Sequence, residues 1–399
     1  MMEAGEPRAP LTGVKVLDLT SFLSGPYATQ IFADLGADVV KVEPPAGDSS
    51  RSIPPHFLGG DSAYFLSVNR NKRSIVLDLK TADAVARLVA LAERADVVIE
   101  NFRPGVLDRL GLTYDAIRAT NHGVIWCSIS GFGQDGPYRD RPAYDMVVQA
   151  LSGGMSMTGM PDGEAVRSAI PIGDLCAGMY AVIGTLAALT QRAETGVGRR
   201  VDVAMLDCQI SMLSYQGSYH LLAGANPGRQ GRMHDSIPTY RAFTASDGED
   251  VMVTANTETM WRRLCAALGT DELADDERFR DGRLRQHNRD ELAPQLEKAF
   301  LGATADSWIT TLNTVGVPAA RVNSVAQALN DPQVQHRNMV VEVQDEHRGP
   351  LRLLGAPIKF DGTDRSGQFT TPPTLNEHEH EVLRDWLSDT PAAHPGAHD

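Results

Sequence analysis

Residues 14–43, VKVLDLTSFLSGPYATQIFADLGADVVKVE, alternate a strand, a helix and a second strand. Val14–Leu19 is a short apolar, β-branched run. A turn-rich segment, TSFLSGP, leads into a helical stretch from Tyr27 to Leu35 that Gly36 closes. Ala37–Val42 is the second strand. A strand–helix–strand unit of this length implies parallel pairing and a right-handed crossover. The alternation continues outward with a strand at Ser74–Leu79 and a helix from Thr81, in which Val85, Leu88, Val89 and Ala92 recur at helical spacing. Strands at Asp96–Glu100 and Gly123–Ser128 follow, so the first third reads as an open α/β sheet.

From Tyr144 to Leu189 the chain turns helical around a glycine-rich stretch, GGMSMTGMPDG, and a helix spans Ala204–Leu222. GANPGRQGRMHD then marks a domain boundary. Beyond it, Thr239–Ala245 and Asp250–Ala255 read as a hairpin joined through SDGE. Helices around Trp261–Leu268, Asp290–Leu301 and Asp306–Val315 complete a smaller α+β domain. The expected division is residues 1–223 for the large α/β domain, 224–329 for the small domain, and 330–399 returning to the large one. A last helix near Asn376, with Glu379 three residues on, resembles a capping box, and the tail 389–399 reads as disordered.

A chain of 399 residues with 42% hydrophobic and 22% charged residues can bury a large core in two or three domains. Its formal net charge of −14 argues against bulk binding of nucleic acid or anionic membrane, and 6% aromatic content argues against a base-stacking platform. Cys127, Cys176, Cys208 and Cys265 form no C-x-x-C pair, which points to reduced thiols in a cytoplasmic protein and to no metal site. The N-terminal MMEAGEPRAP is acidic and Pro-bearing, unlike the basic-then-apolar pattern of a signal peptide, and the uncharged run Leu175–Gln191, diluted by Gly, Ala and Thr, fits a buried helix better than a membrane span.

The first strand–helix turn, with its single glycine, lacks the G-x-G-x-x-G that lets backbone approach a pyrophosphate. No phosphate-binding G-x-x-x-x-G-K-[ST] occurs either. Two segments nevertheless suit a phosphate-bearing ligand. Asn69–Arg73 is the densest basic run, although by itself a solvated turn ahead of a strand explains it better. Asn101–Gly105, NFRPG, follows a strand at the carboxyl edge of the sheet, where such folds bind ligands, and offers an amide, an aromatic face and a guanidinium.

Seven ordered blocks carry a family resemblance: residues 11–48, NRNKRSIVLDLK (69–80), ENFRPG (100–105), SISGFGQDGPY (128–138), PAYDMVVQALSGGMSMTG (142–159), IGDLCAGMYAVIGTLAAL (172–189) and TGVGRRVDVAMLD (195–207). Together they resemble the class III CoA-transferases of the formyl-CoA and carnitine CoA-transferase type, a family that also contains the α-methylacyl-CoA racemases. The resemblance implies a large Rossmann-like open parallel-sheet domain with a smaller α+β domain inserted, and an interlocked homodimer. Its substrates would be an acyl-CoA and a carboxylic acid acceptor, with no separate cofactor.

In the family the aspartate matching Asp174 is the nucleophile. An exposed carboxylate, with a pKa of about 4, is ionised at neutral pH and can attack a thioester without a base. The helix it opens favours its charge, and a plain N-cap role is the alternative. The resemblance places Phe22, Leu23 and Ser24 on the loop that holds CoA, although formyl-CoA transferase has glutamine where this chain has Leu23. It places Leu77, Asn101, Phe102, Arg109 and Met205 on adenine and pantetheine contacts. Pro44 and Pro142 stand where some relatives carry basic residues, so Lys72, Arg73 or Arg103 would supply charge for the phosphates. Oxyanion donors are expected from Gly153–Gly154 or from Gly228–Gly231. Met155, Met157, His234 and Tyr240 are candidate acyl-pocket residues, and His234 beside Arg232 would suit a second carboxylate.

Racemases of the family place a histidine before the aspartate of the 142–159 block. Here Tyr144 precedes Asp145, as in the transferases, and a tyrosine with a pKa near about 10 is a poor base at neutral pH. Transfer of CoA between carboxylic acids is therefore expected, with α-methylacyl-CoA racemisation as the alternative.

Overall fold

The computed structural model describes residues 8–361 and 369–388; the tail expectation for 389–399 lies outside the described residues. The chain divides into two compact units. Of the described residues, the first takes those up to Gly154, Arg167–Gly224 and those from Pro332 onward; the second is Met155–Val166 with Ala225–Asp331. Residues 155–166, which the sequence leaves in the large domain, thus cluster with the smaller unit.

The first unit is built on six strands: β1 (Lys15–Leu19), β2 (Asp38–Glu43), β3 (Lys72–Val76), β4 (Val97–Glu100), β5 (Ile125–Ser130) and β6 (Arg200–Ala204). They pair in the order β3-β2-β1-β4-β5-β6, every pair parallel. Consecutive apolar residues along each strand serve opposite faces. Val16, Val39 and Val97 join a core with helices α1 (Ser24–Asp34) and α4 (Ile172–Thr195). Leu17, Val40 and Val98, paired across three strands, face helix α2 (Ala82–Arg94) and the C-terminal helix α10 (Glu379–Leu387). Burial on both faces explains why the central strands β1, β2 and β4 read as largely hydrophobic runs.

Local chemistry sets the ends. The Thr81 hydroxyl caps α2 by accepting from Ala84 N–H. Asn376 does not open α10, which begins at Glu379. It has φ of +61°, accepts from Val76 N–H at 2.7 Å and donates to Glu379 at 2.8 Å, so it ties the last helix to β3 and makes no capping box. The expected helix at 204–222 is two, α5 (Met205–Met212) and α6 (Ser214–Ala223), broken where Ser214 takes φ of +51°. α3 (Asp145–Leu151) precedes α4.

In the second unit, β7 (Tyr240–Thr244) and β8 (Asp250–Thr254) form the expected antiparallel hairpin, and β9 (Ala319–Arg321) adds to β8. Helices α7 (Glu258–Leu268), α8 (Arg289–Phe300) and α9 (Ala305–Thr314) surround a core that includes Trp261, Leu296 and Trp308. Phe243 and Phe300 stack there at 4.2 Å.

Helix α4 is, among the described residues, the one helix long and apolar enough to cross a membrane by length and composition. In this fold it packs along α1, β5, β6 and α5. Its small residues allow close approach: a Cβ on Gly178 would lie 2.7 Å from the Ser24 carbonyl oxygen. Gly178→Ala should therefore force α1 and α4 apart and cost about 1–3 kcal/mol, read as a lower denaturation midpoint.

Candidate active site

Asp174 lies in the first turn of α4, three positions after Pro171, which occupies the cap position without a side-chain capping bond. It is therefore not the N-cap. It is also not the exposed carboxylate that the sequence suggests: it is partly buried. Burial, and then repulsion from Asp145, push its carboxyl up to about 7, while a hydrogen bond from Ser24 works the other way. Asp145 opens α3 and is buried. One of its oxygens accepts from Gly173 N–H at 2.7 Å, and the other accepts from Gln149 Nε2 at 2.7 Å. A Cβ at Gly173 would lie 2.5 Å from Gln209 Nε2 and 2.9 Å from Asp145 Oδ1, so a side chain there would displace both groups. Met205 lies against the same point.

The loop between β1 and α1 forms the other side. The strand order changes direction between β1 and β4, and a ligand crevice forms where the loops leaving two such strands part. Asn101, just after β4, spans that crevice. Its Oδ1 accepts from Ser21 N–H and its Nδ2 donates to Ser21 O, both at 2.9 Å. The Asn101 side chain thus holds the loop. Phe22 has φ of +64°, a left-handed conformation costing an aromatic residue about 1–3 kcal/mol. Its ring meets Tyr144 edge-on at 6.1 Å, and Tyr144 is 67% exposed. Leu23 and Ser24 are buried at the start of α1.

Two of the expected phosphate contacts are elsewhere. Lys72 is buried and donates to Asp18 at 3.1 Å, Asn69 at 2.8 Å and the Pro26 carbonyl at 3.0 Å. Burial lowers its ammonium to about 8 against the pull of Asp18. Arg73 is bound to Asp38, the first residue of β2, and to Asp385, and so serves the amino edge of the sheet. Both charges are consumed inside the protein. Leu77 is buried in the core on the α2 face and Phe102 packs against it. Exposed Arg103 and Arg109 stand at the carboxyl edge. Arg139, which the sequence did not single out, converges with Arg109 on Gly105: a Cβ there would meet their guanidinium groups at 3.4 and 3.7 Å.

Tyr64 is a second residue that sequence reasoning missed. Burial, then the charges of Asp174, Asp48 and Asp145, push its phenol up to about 12, so it stands in the field of the site as a neutral donor. Of the two glycine segments, Gly154 N–H donates to Ser152 Oγ at 3.2 Å, and Gly231 N–H donates to the Gly159 carbonyl at 2.9 Å. In the second unit Arg232 pairs with Asp250 at 2.6 Å, and His234 pairs with Asp235 and stacks on Tyr240 at 5.3 Å.

The profile of CoA-transferase family III matches residues 11–379. The chain belongs to that family. It is 36% identical over 399 residues to a succinate–glutarate CoA-transferase of Agrobacterium fabrum, covering 96% of this chain and 98% of that protein. It is 39% identical to an acetyl-CoA:oxalate CoA-transferase of Acetobacter aceti, over 93% of this chain and 94% of that one. Among solved structures, a CAIB/BAIF family protein from Brucella suis superposes with a TM-score of 0.84 at 37% identity, covering 95% of this chain and all of that one. A Mycobacterium tuberculosis protein gives a TM-score of 0.84 at 32% identity, covering 94% of this chain and 100% of that one.

In this class III CoA-transferase the raised carboxyl of Asp174 carries a stability cost with a definite sign. A carboxyl titrating near 3.8 when unfolded and at about 7 when folded binds more protons in the folded state between those values. Stability is therefore lost as pH rises through that window. Asp174→Asn should melt a few degrees above wild type at pH 8 and with it at pH 4, as differential scanning calorimetry would show.

Proposed function

We propose that this enzyme moves CoA between dicarboxylic acids through covalent intermediates on Asp174. The observation that carries the proposal is the ionisable carboxylate of Asp174, desolvated at the head of α4 beside Asp145. A carboxylate oxygen of Asp174 attacks the thioester carbonyl, the C–S bond breaks, and CoA leaves as thiolate. The thiolate attacks the aspartyl carbonyl of the resulting anhydride and releases the donor acid as carboxylate. An acceptor carboxylate then attacks the carbonyl of the aspartyl-CoA thioester, the C–S bond breaks, and CoA leaves again as thiolate from a second anhydride. Thiolate attack on its acceptor carbonyl completes the new acyl-CoA and restores Asp174. Each step exchanges one activated acyl bond for another, and no metal or further cofactor enters.

Support for dicarboxylic substrates comes from relatives. Besides the glutarate and oxalate enzymes, a Chloroflexus aurantiacus protein 34% identical to this chain is named for succinyl-CoA and D-citramalate. For the CoA phosphates, Arg103, Arg109 and Arg139, the last also pairing with Asp140 at 3.2 Å, take the place of buried Lys72 and of Arg73, which is tied to Asp38 and Asp385. The protein would act as a cytoplasmic homodimer. The dimer is favoured by bare apolar residues of the first unit: Leu221 and Leu222 on α6 are 83% and 88% exposed, and Ile183 on α4 is 61% exposed.

Intact-protein mass spectrometry after mixing with succinyl-CoA tests the reaction. Wild type should gain the mass of CoA less one water, and Asp174→Ala should gain nothing and lose turnover by on the order of a thousandfold or more. Tight CoA binding without an adduct would remove the aspartyl mechanism. Because the carboxyl titrates at about 7, kcat/KM should rise with pH along a limb centred there, not near 4.

A further inference from the structure

The loop from Thr20 to Leu23 is clamped from beneath by a buried set of charges drawn from separate parts of the chain. Asp18 Oδ1 accepts from Thr20 N–H at 2.9 Å and from its hydroxyl at 2.5 Å. Lys41, on β2, donates to the Thr20 carbonyl at 2.8 Å and pairs with Asp48 at 2.8 Å, with both side chains shut off from solvent. The other oxygen of Asp48 accepts from Phe22 N–H at 3.3 Å and from Ser50 N–H and Oγ at 2.9 and 2.8 Å. Asp48 N–H is in turn held by Glu43, which Arg51 grips with two bonds of 2.7 Å. One ion pair therefore holds the loop on both sides of Ser21: Lys41 by the carbonyl of Thr20, Asp48 by the N–H of Phe22.

A pair with neither partner exposed is an expensive way to stabilise a fold, since apolar residues of similar volume would serve as well. What it supplies here is direction. The N–H of Phe22 donates to Asp48 where the backbone at Phe22 takes its left-handed φ of +64°. The next turn brings Ser24 to Asp174 and sets the edge of the crevice that Asn101 spans. We propose that the Lys41–Asp48 pair is a positioning element of the CoA site, holding the β1–α1 loop in the strained form that receives CoA and hydrogen-bonds the nucleophile. This inference rests on the assignment of Asp174 and of the loop to the CoA site.

The test is a full-length Lys41→Met, Asp48→Asn double variant beside Asp48→Asn alone; the double change leaves no unpaired buried charge. Calorimetric Kd for free CoA and the pH profile of succinyl-CoA:glutarate exchange are the readouts. The double variant should fold, bind CoA at least tenfold more weakly, and shift the acidic limb of kcat/KM to higher pH, because the Ser24 bond that favours the charged Asp174 is loosened. Asp48→Asn should move both readouts in the same direction by about threefold, and it carries the test if the double variant does not fold. A folded variant with a lower melting temperature but an unchanged Kd and limb would overturn the proposal and leave the pair a structural role. The Kd decides the issue whether or not Asp174 forms the thioester. An absent mass adduct with a weakened Kd would therefore remove the nucleophile assignment while keeping the loop.

Discussion

The buried hydrogen bond from Gly173 N–H to the Asp145 carboxylate is the constraint on which the site depends. It joins the start of α4 to the start of α3 and so sets two carboxylates side by side. A side chain at position 173 would push on this pair, because the amide of Gln209 and the oxygen of Asp145 already fill that space. One turn later Gly178 lets the same helix lie on the Ser24 carbonyl. Two glycines in six residues thus bring Asp174 between a repelling carboxylate and a donating hydroxyl.

The scaffold presents that arrangement at a place the sheet topology selects. A 3-2-1-4-5-6 parallel order is that of dinucleotide-binding folds, and it opens its crevice between β1 and β4. Here the first turn has no glycine cradle for a pyrophosphate, and Asn101 crosses the crevice where a nucleotide backbone would otherwise approach. The architecture is shared with such folds, but the ligand must be met by side chains and by a strained loop.

Much of this was legible in the residues. The β1–α1–β2 unit, the Thr81-capped helix and the hairpin around SDGE follow from local pattern, because each answers to neighbours a few positions away. Strand β6 was missed: in RVDVA only the last two residues are buried, so the edge strand carries no apolar run. Lys72 misled for a different reason. A basic run looks available to ligand until its neutralising partner is known, and Asp18 lies 54 residues away. Tyr64 and Arg139 carry no local signal; only the folded chain brings them to Asp174 and Gly105. Asp174 itself was found through the motif around it, while its protonation was misjudged, because burial is a property of the fold.

The burial of Asp174 bears on the chemistry. Desolvation penalises the aspartate anion but not the neutral anhydride or thioester that would form from it. Raising the carboxyl to about 7 therefore lifts the free carboxylate relative to both covalent states, by about 1.4 kcal/mol for each unit that burial and Asp145 impose. A nucleophile tuned for rapid attack alone would gain from full ionisation at neutral pH. In the proposed mechanism a carboxylate that also held CoA until a second acid arrived would gain more from being disfavoured as an ion, at the cost of partial protonation at neutral pH. Under the proposed mechanism the neighbouring carboxylate acts against the charged resting state, and forming the acyl bond would relieve it.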